Sequence, residues 1–260
     1  MVAKHFMLLK EYFKISLAAA MEYRLNFIIQ TTAMFVNDVV WVFFWWIFFN
    51  RFNIVNGWTV KEIMMLYAVI TFSWGIAGVF FGNRGHIAKI ISEGRLDFYL
   101  SLPKGELFHI LISRSSWFAL GDLVFGLVVA TYVFNLSQWP MFLLVCVFST
   151  IIILAASVIF GSLAFFIGNA EELARTMNMS LISFASYPLP IFKGVAKVLL
   201  LTIVPAGFIT SIPVELIRKF DPLWFLGLVG ATAAFVVIAI AIFKIGLKKY
   251  ESGSMITIRI

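Results

Sequence analysis

Runs of about 20 residues with almost no charge follow one another along most of this chain, and that length is what a helix needs to cross a ~30 Å hydrocarbon layer. Backbone groups have no water to bond to inside lipid, so such runs fold as helices whose hydrogen bonds close within the segment. The composition agrees. Of 260 residues, 62% are hydrophobic and 13% are charged, with a mean hydropathy of +0.99. Soluble domains carry ~25% charged residues. The expectation is one all-α integral membrane domain over residues 1–260, multi-pass and surrounded by membrane lipid.

The apolar runs place six transmembrane helices near residues 26–49, 63–82, 117–136, 140–167, 177 onward, and 223–245. Residues 1–25 read differently. Phe6, Leu9, Phe13, Leu17 and Ala20 share one helical stripe, with Lys10, Glu11 and Lys14 elsewhere. Such a helix lies in the interface plane. Five of the seven prolines, Pro188, Pro190, Pro205, Pro213 and Pro222, crowd into the late part of the chain. Proline removes a helix hydrogen bond, and the freed carbonyls cannot face lipid. Residues 192–217 are therefore expected to form two short re-entrant helices ahead of the last span.

Lysine and arginine set the orientation. With both termini in the cytoplasm, 14 of the 20 fall at cytoplasmic ends and 6 outside. This satisfies the positive-inside rule. The net charge of +7 is thus spent on membrane edges, with no soluble basic surface for nucleic acid. The lone Cys146 lies within an apolar run, so an internal disulfide is excluded.

Chemistry is sparse. There is no P-loop, no His-Glu-x-x-His, and no paired Cys/His ligand set. The chain is not expected to be an enzyme, to bind a metal or cofactor, or to hydrolyse ATP by itself. Glu171 and Glu172 are neighbours, but adjacent helix positions diverge by ~100°, so they read as part of a solvated turn with Arg175. Within the spans, Asn37 and Asp38 form a polar patch. It suits either a translocation route or subunit seam, or a single interhelical hydrogen bond. A carboxylate at this depth costs ~2.5–3.5 kcal/mol and should face protein or water. Asp122 is expected to reach the interface or to pair with Arg114.

The polar loop at 84–106 holds most of the remaining charge. Ile87, Ile90, Ile91 and Phe98 fall on one stripe, Lys89 and Glu93 point away, Arg95 and Asp97 flank it, and Pro103 stops it. The expectation is a short amphipathic helix on the cytoplasmic side, serving as a docking element for a soluble subunit.

These features together resemble the permeases of ABC-2 type exporters, including a less characterised bacterial branch. The residues that carry the likeness are the N-terminal interfacial helix, Glu93-Gly94-Arg95-Leu96-Asp97-Phe98-Tyr99-Leu100 with Pro103, Tyr187-Pro188-Leu189-Pro190-Ile191-Phe192, Ile203-Val204-Pro205-Ala206, Ile212-Pro213, and the tail Gly246-Leu247-Lys248-Lys249-Tyr250-Glu251-Ser252. The resemblance implies six spans, a cytoplasmic coupling helix between the second and third, and re-entrant helices on the outer side. It also implies two ATP-binding-cassette ATPase subunits below, using ATP and Mg, and a second permease, identical or paralogous. By position, Lys89, Glu93, Gly94, Arg95, Leu96, Asp97 and Phe98 would dock the ATPase, with Glu171 and Glu172 as a smaller contact. Pro188, Pro190, Pro205 and Pro213 would build the outer gate. The implied location is a bacterial inner membrane. The rival readings are a lipid-modifying membrane enzyme, an ion-coupled secondary transporter, and a membrane anchor for a signalling ATPase.

Overall fold

The structure, a computed structural model, describes residues 2–103 and 105–250, and only the backbone of residues 2–4. Lys104 and the tail from Glu251 onward, including Ser252, lie outside the described residues. In chain order the helices are α1 (Val2–Glu22), α2 (Arg24–Phe52), α3 (Val60–Phe81), α4 (Ile87–Ser92), α5 (Leu96–Leu100), α6 (Glu106–Ile112), α7 (Ala119–Val133), α8 (Trp139–Ser162), α9 (Ala164–Ile167), α10 (Glu171–Ala185), α11 (Gly194–Thr202), α12 (Ile212–Arg218) and α13 (Pro222–Leu247). A 3₁₀ turn, Gly82–His86, joins α3 to α4, and a π turn, Gly207–Ser211, leads into α12.

Four helical segments are long and apolar enough to cross a membrane: Arg24–Phe52, Val60–Ser92, Leu136–Ile167 and Pro222–Leu247. A fifth exists if Gly194–Thr202 and Gly207–Arg218, bent by 72° at the residues between them, count as one span. The third and fifth expected spans correspond to α7 and α10. Each has 15 residues and so is ~22 Å long. Glu171, Glu172 and Arg175 are the opening turns of α10 rather than a separate charged turn before it. Acidic groups at a helix N-terminus complement the exposed N–H groups there, which explains the earlier start. The long fourth run breaks at Leu163, between α8 and α9.

α3 is the centre of the bundle and is buried along most of its length, whereas α2 and α13 leave wide apolar faces exposed, as lipid-facing helices do. Without water to drive helices together, close backbone packing does the work. α3 and α7 achieve it with small residues. A Cβ added at Gly75 would sit 2.6 Å from the Leu123 backbone nitrogen, and one at Gly126 would sit 2.6 Å from that of Phe72. Hydrogen bonds cross the same seam: Ser116 N–H donates to the Gly78 carbonyl at 2.9 Å.

The two ends of α3 separate two regions of structure. At its start, Arg218 Nε lies 3.5 Å from Glu62 Oε1, Asn56 Nδ2 donates to the Pro190 carbonyl at 3.1 Å, and Gln138 Nε2 donates to that of Ile217 at 3.3 Å. Glu62 also completes a capping box with Thr59. The segment containing α11 and α12 therefore begins and ends near the same end of α3. Its middle reaches inward, where Ser149 donates to the Ile209 carbonyl at 2.8 Å. At the other end of α3 lie the 3₁₀ turn Gly82–His86, α4, α5 and α6.

α1 is a separate helix that packs on that second end. Phe13 stacks on Phe80 at 5.6 Å and on Trp117 at 5.3 Å, and His5 meets Phe108 at 5.0 Å. His109 Nε2 donates to the Pro103 carbonyl at 2.8 Å, because a carbonyl only accepts; Nδ1 is then the acceptor for Tyr12 Oη at 3.2 Å.

Candidate functional site

The loop expected as one amphipathic helix is a 3₁₀ turn followed by two short helices, α4 and α5. Gly94 has φ +71°, a left-handed conformation that costs a side chain but not glycine, and it ends α4. The restart at Leu96 turns α5 away. Ile87, Ile90 and Ile91 are buried as expected, but Phe98 is 63% exposed, and Leu96 takes the buried place instead. The single stripe fails because its register is cut at Gly94.

The loop's charges form a network. Lys89 Nζ lies 3.8 Å from Glu93 Oε1 and 3.7 Å from Glu171 Oε1, and Arg95 Nη2 lies 2.6 Å from Glu93 Oε2. Glu172 stands outside it and pairs with Arg175 at 3.9 Å. The two cytoplasmic elements expected from sequence, 84–106 and the turn at Glu171, thus meet. Tyr250 packs beside them, with its ring 6.1 Å from Phe165. Burial, and Asp97 next to it, push the Tyr250 hydroxyl up to about 12. Phe98 and Leu100 remain as exposed apolar groups on α5.

Arg84, read from sequence as a loop cation, is buried. Its guanidinium stacks over Trp74 at 4.1 Å, and Nη1 donates to Ser157 Oγ at 3.1 Å. Ser157 passes the chain on to Asn178 Oδ1 at 2.7 Å, and Asn178 Nδ2 donates to the Ala174 carbonyl at 2.8 Å. The loop is thereby tied through α8 to α10. The backbone of the loop is tied too: Asn83 Nδ2 donates to the Ile110 carbonyl at 3.0 Å and to Ser113 Oγ at 2.8 Å.

Above Arg84 a cavity of about 280 Å³ opens between α2, α3 and α10. Met34, Asn37, Asp38 and Trp41 of α2 line it, as do Tyr67, Ile70, Thr71 and Trp74 of α3. Both sets recur at i, i+3, i+4 and i+7, which is one face of a helix. Ser183, Ser186 and Tyr187 line the third wall, and Asp122 of α7 completes it. Asp122 is 2% exposed and faces Asp38 and Arg84, not Arg114; α7 enters the bundle too deeply at Gly121, against Met34 and Phe35, for Asp122 to reach the interface. Of the polar pair expected from sequence, the structure keeps both Asn37 and Asp38 on the cavity. It adds Asp122, Tyr67 and Trp74, with Arg84 behind Trp74. The signal for those was available: polar or aromatic residues repeating at helical spacing inside apolar runs.

The four prolines of the expected gate are spread over the segment near the start of α3. Pro188 precedes and Pro190 lies within a 3₁₀ turn, Leu189–Ile191, whose Leu189 N–H donates to Ser211 Oγ at 2.8 Å. Pro205 sits at the 72° bend and Pro213 in the first turn of α12. Among the described residues, no three His, Cys, Asp or Glu side chains are grouped to hold a metal.

No curated protein and no solved structure matches this chain. A family model does, described as ABC-2 family transporter protein, over residues 35–254. That range takes in the cavity, the tripartite loop, the bent helix pair and the last span. The chain belongs to the ABC-2 family of transporter proteins.

Proposed function

We propose that this chain is the permease of an exporter driven by a separate ATP-binding-cassette ATPase, present in two copies, and that two permeases pair around the transport route. The observation that carries the reading is the Arg84–Ser157–Asn178 chain, which couples the loop to the interior of the bundle. A loop free to move on its own would absorb a push; a loop fixed to α8 and α10 transmits it. Lys89, Glu93, Gly94, Arg95, Asp97, Phe98 and Glu171 form the docking surface, with Leu96 buried beneath it and Glu172 at its edge. ATP binding closes the two ATPases, and the loop carries that movement into the spans. The nucleotide must then favour one conformation of the permease over the other.

In this reading the polypeptide crosses the membrane six times, with α7 and α10 as the short third and fifth crossings. The support is the contact pattern: α10 begins beside Lys89, and the chain after it reaches Asn56. Both termini lie in the cytoplasm of a bacterial cell, and α11 and α12 form the re-entrant outer gate with Pro188, Pro190, Pro205 and Pro213. Extraction in mild detergent should recover a Walker-motif ATPase with this chain. Its repeated absence, under conditions that keep the permease folded, sinks the reading.

A further inference from the structure

The cavity holds two buried acids in contact, beside one buried cation. Asp38 and Asp122 are 5% and 2% exposed, their carboxyls face one another within hydrogen-bonding reach, and Oδ2 of each is buried and meets no N–H or hydroxyl donor. Arg84 is the neighbouring cation, and its guanidinium is engaged by Trp74 and Ser157. Two carboxyls this close hold one proton between them when the site is empty, which leaves one negative charge for Arg84 to balance. A ligand that displaces that proton must bring one positive charge in its place, because a buried charge left unbalanced is costly, so the site suits a monovalent cation.

The walls say which kind. Trp41, Tyr67, Trp74 and Tyr187 surround the acids, and Trp45 Nε1 donates to Tyr67 Oη at 3.1 Å, holding that ring in place. Aromatic rings attract organic ammonium groups through their quadrupoles, most strongly where water is excluded. Mg²⁺ and Ca²⁺ want six or more oxygen ligands, and Zn²⁺ three or more His, Cys or acidic ligands, which two carboxyls among tryptophans do not supply. An anion meets two acids. A sugar meets too few donors.

We propose that this cavity binds a small organic monocation, an alkyl- or aryl-ammonium, with Asp38 and Asp122 as the counter-charge and Trp41, Tyr67, Trp74 and Tyr187 as the aromatic wall. As a statement about transported cargo it rests on the permease reading above; as a statement about binding it stands on the cavity alone. The ammonium group belongs either to a free amphipathic cation or to a choline headgroup of a lipid.

The test uses the full chain in nanodiscs of phosphatidylglycerol. Binding of radiolabelled trimethylphenylammonium is measured, with competition by the unlabelled cation and by tert-butylbenzene, its neutral isostere. The cation should compete at least ~10-fold better than the isostere, Asp38→Asn should weaken binding by about 10-fold, and Asp38→Glu should restore most of it. Equal competition by cation and isostere overturns the proposal, as does a folded Asp38→Asn with unchanged affinity; both are what an acid pair that keeps its proton would give. Should Asp38→Asn fail to fold, Trp41→Leu decides, since Trp41 is 40% exposed and its loss leaves the acids in place. Unchanged affinity in that variant also overturns the proposal. Adding phosphatidylcholine distinguishes the sources: loss of probe binding assigns the site to a lipid headgroup, and no loss assigns it to a free cation. A chain that binds the cation yet recovers no ATPase overturns the transport reading alone. A chain that recovers the ATPase without preferring the cation overturns this inference alone.

Discussion

Lys89 Nζ lies 3.7 Å from Glu171 Oε1, joining the loop after α3 to the first turn of α10 across more than 80 residues of chain. Both side chains are well exposed, so the pair adds at most ~1 kcal/mol to stability. Its value is positional: it brings the loop and the start of α10 into one surface.

That argument predicts a separation of effects. Lys89→Glu and Glu171→Lys should each leave thermal stability within ~0.5 kcal/mol of the parent while reducing recovery of the ATPase. The double exchange should restore recovery in part. Differential scanning fluorimetry and quantitative co-purification read the two quantities independently, and a large stability loss in either single variant contradicts the prediction.

Ser157 is the middle of a buried relay, so removing it should act differently. Ser157→Ala leaves Arg84 Nη1 and Asn178 Oδ1 without their shared partner. Unmet buried groups cost ~1–3 kcal/mol each in water-soluble proteins, and interhelical bonds in membranes average ~0.6 kcal/mol. A loss of about 1–2 kcal/mol is expected in a detergent melt, with nucleotide hydrolysis in the reconstituted complex losing its dependence on cargo.

The α3–α7 seam predicts a contrast among glycines. Gly75→Ala puts a Cβ 2.6 Å from the Leu123 backbone and must push the helices apart, at ~1–3 kcal/mol. Gly227→Ala and Gly230→Ala meet nothing within 4 Å and remove a helix-weakening residue, so they should be neutral or stabilising. Melting temperatures of the three variants side by side are sufficient.

Topology is testable with a membrane-impermeant maleimide, because Cys146 is buried and should remain silent. Asn53→Cys, in the exposed turn after α2, should label on intact cells. Ser101→Cys, exposed beyond α5, should label only once the membrane is opened. Labelling of Ser101→Cys from outside places the docking loop on the wrong face and ends the coupling proposal.

Much of the architecture was readable along the chain. Long uncharged runs forced membrane helices at α2, α3, α8 and α13, because lipid offers the backbone no alternative partner. The prolines marked the bend at Pro205 for the same reason. Isolation of Asn37 and Asp38 in an apolar run marked a polar site, since a charge at that depth must have company. Local patterns of this kind are set by helical geometry and need no knowledge of neighbours. Three-dimensional packing decided the rest. The left-handed turn at Gly94 buried Leu96 in place of Phe98, a choice that depends on where α5 lands against its surroundings. Arg84 became an internal group rather than a loop cation only because α8 and α10 present Ser157 and Asn178 to it. Asp122 meets Asp38 because glycines let α7 approach α2 and α3 closely. Spacing along a helix determines which side chains share a face, but which faces come together is settled by close packing between helices, a property of the whole bundle that no single segment carries.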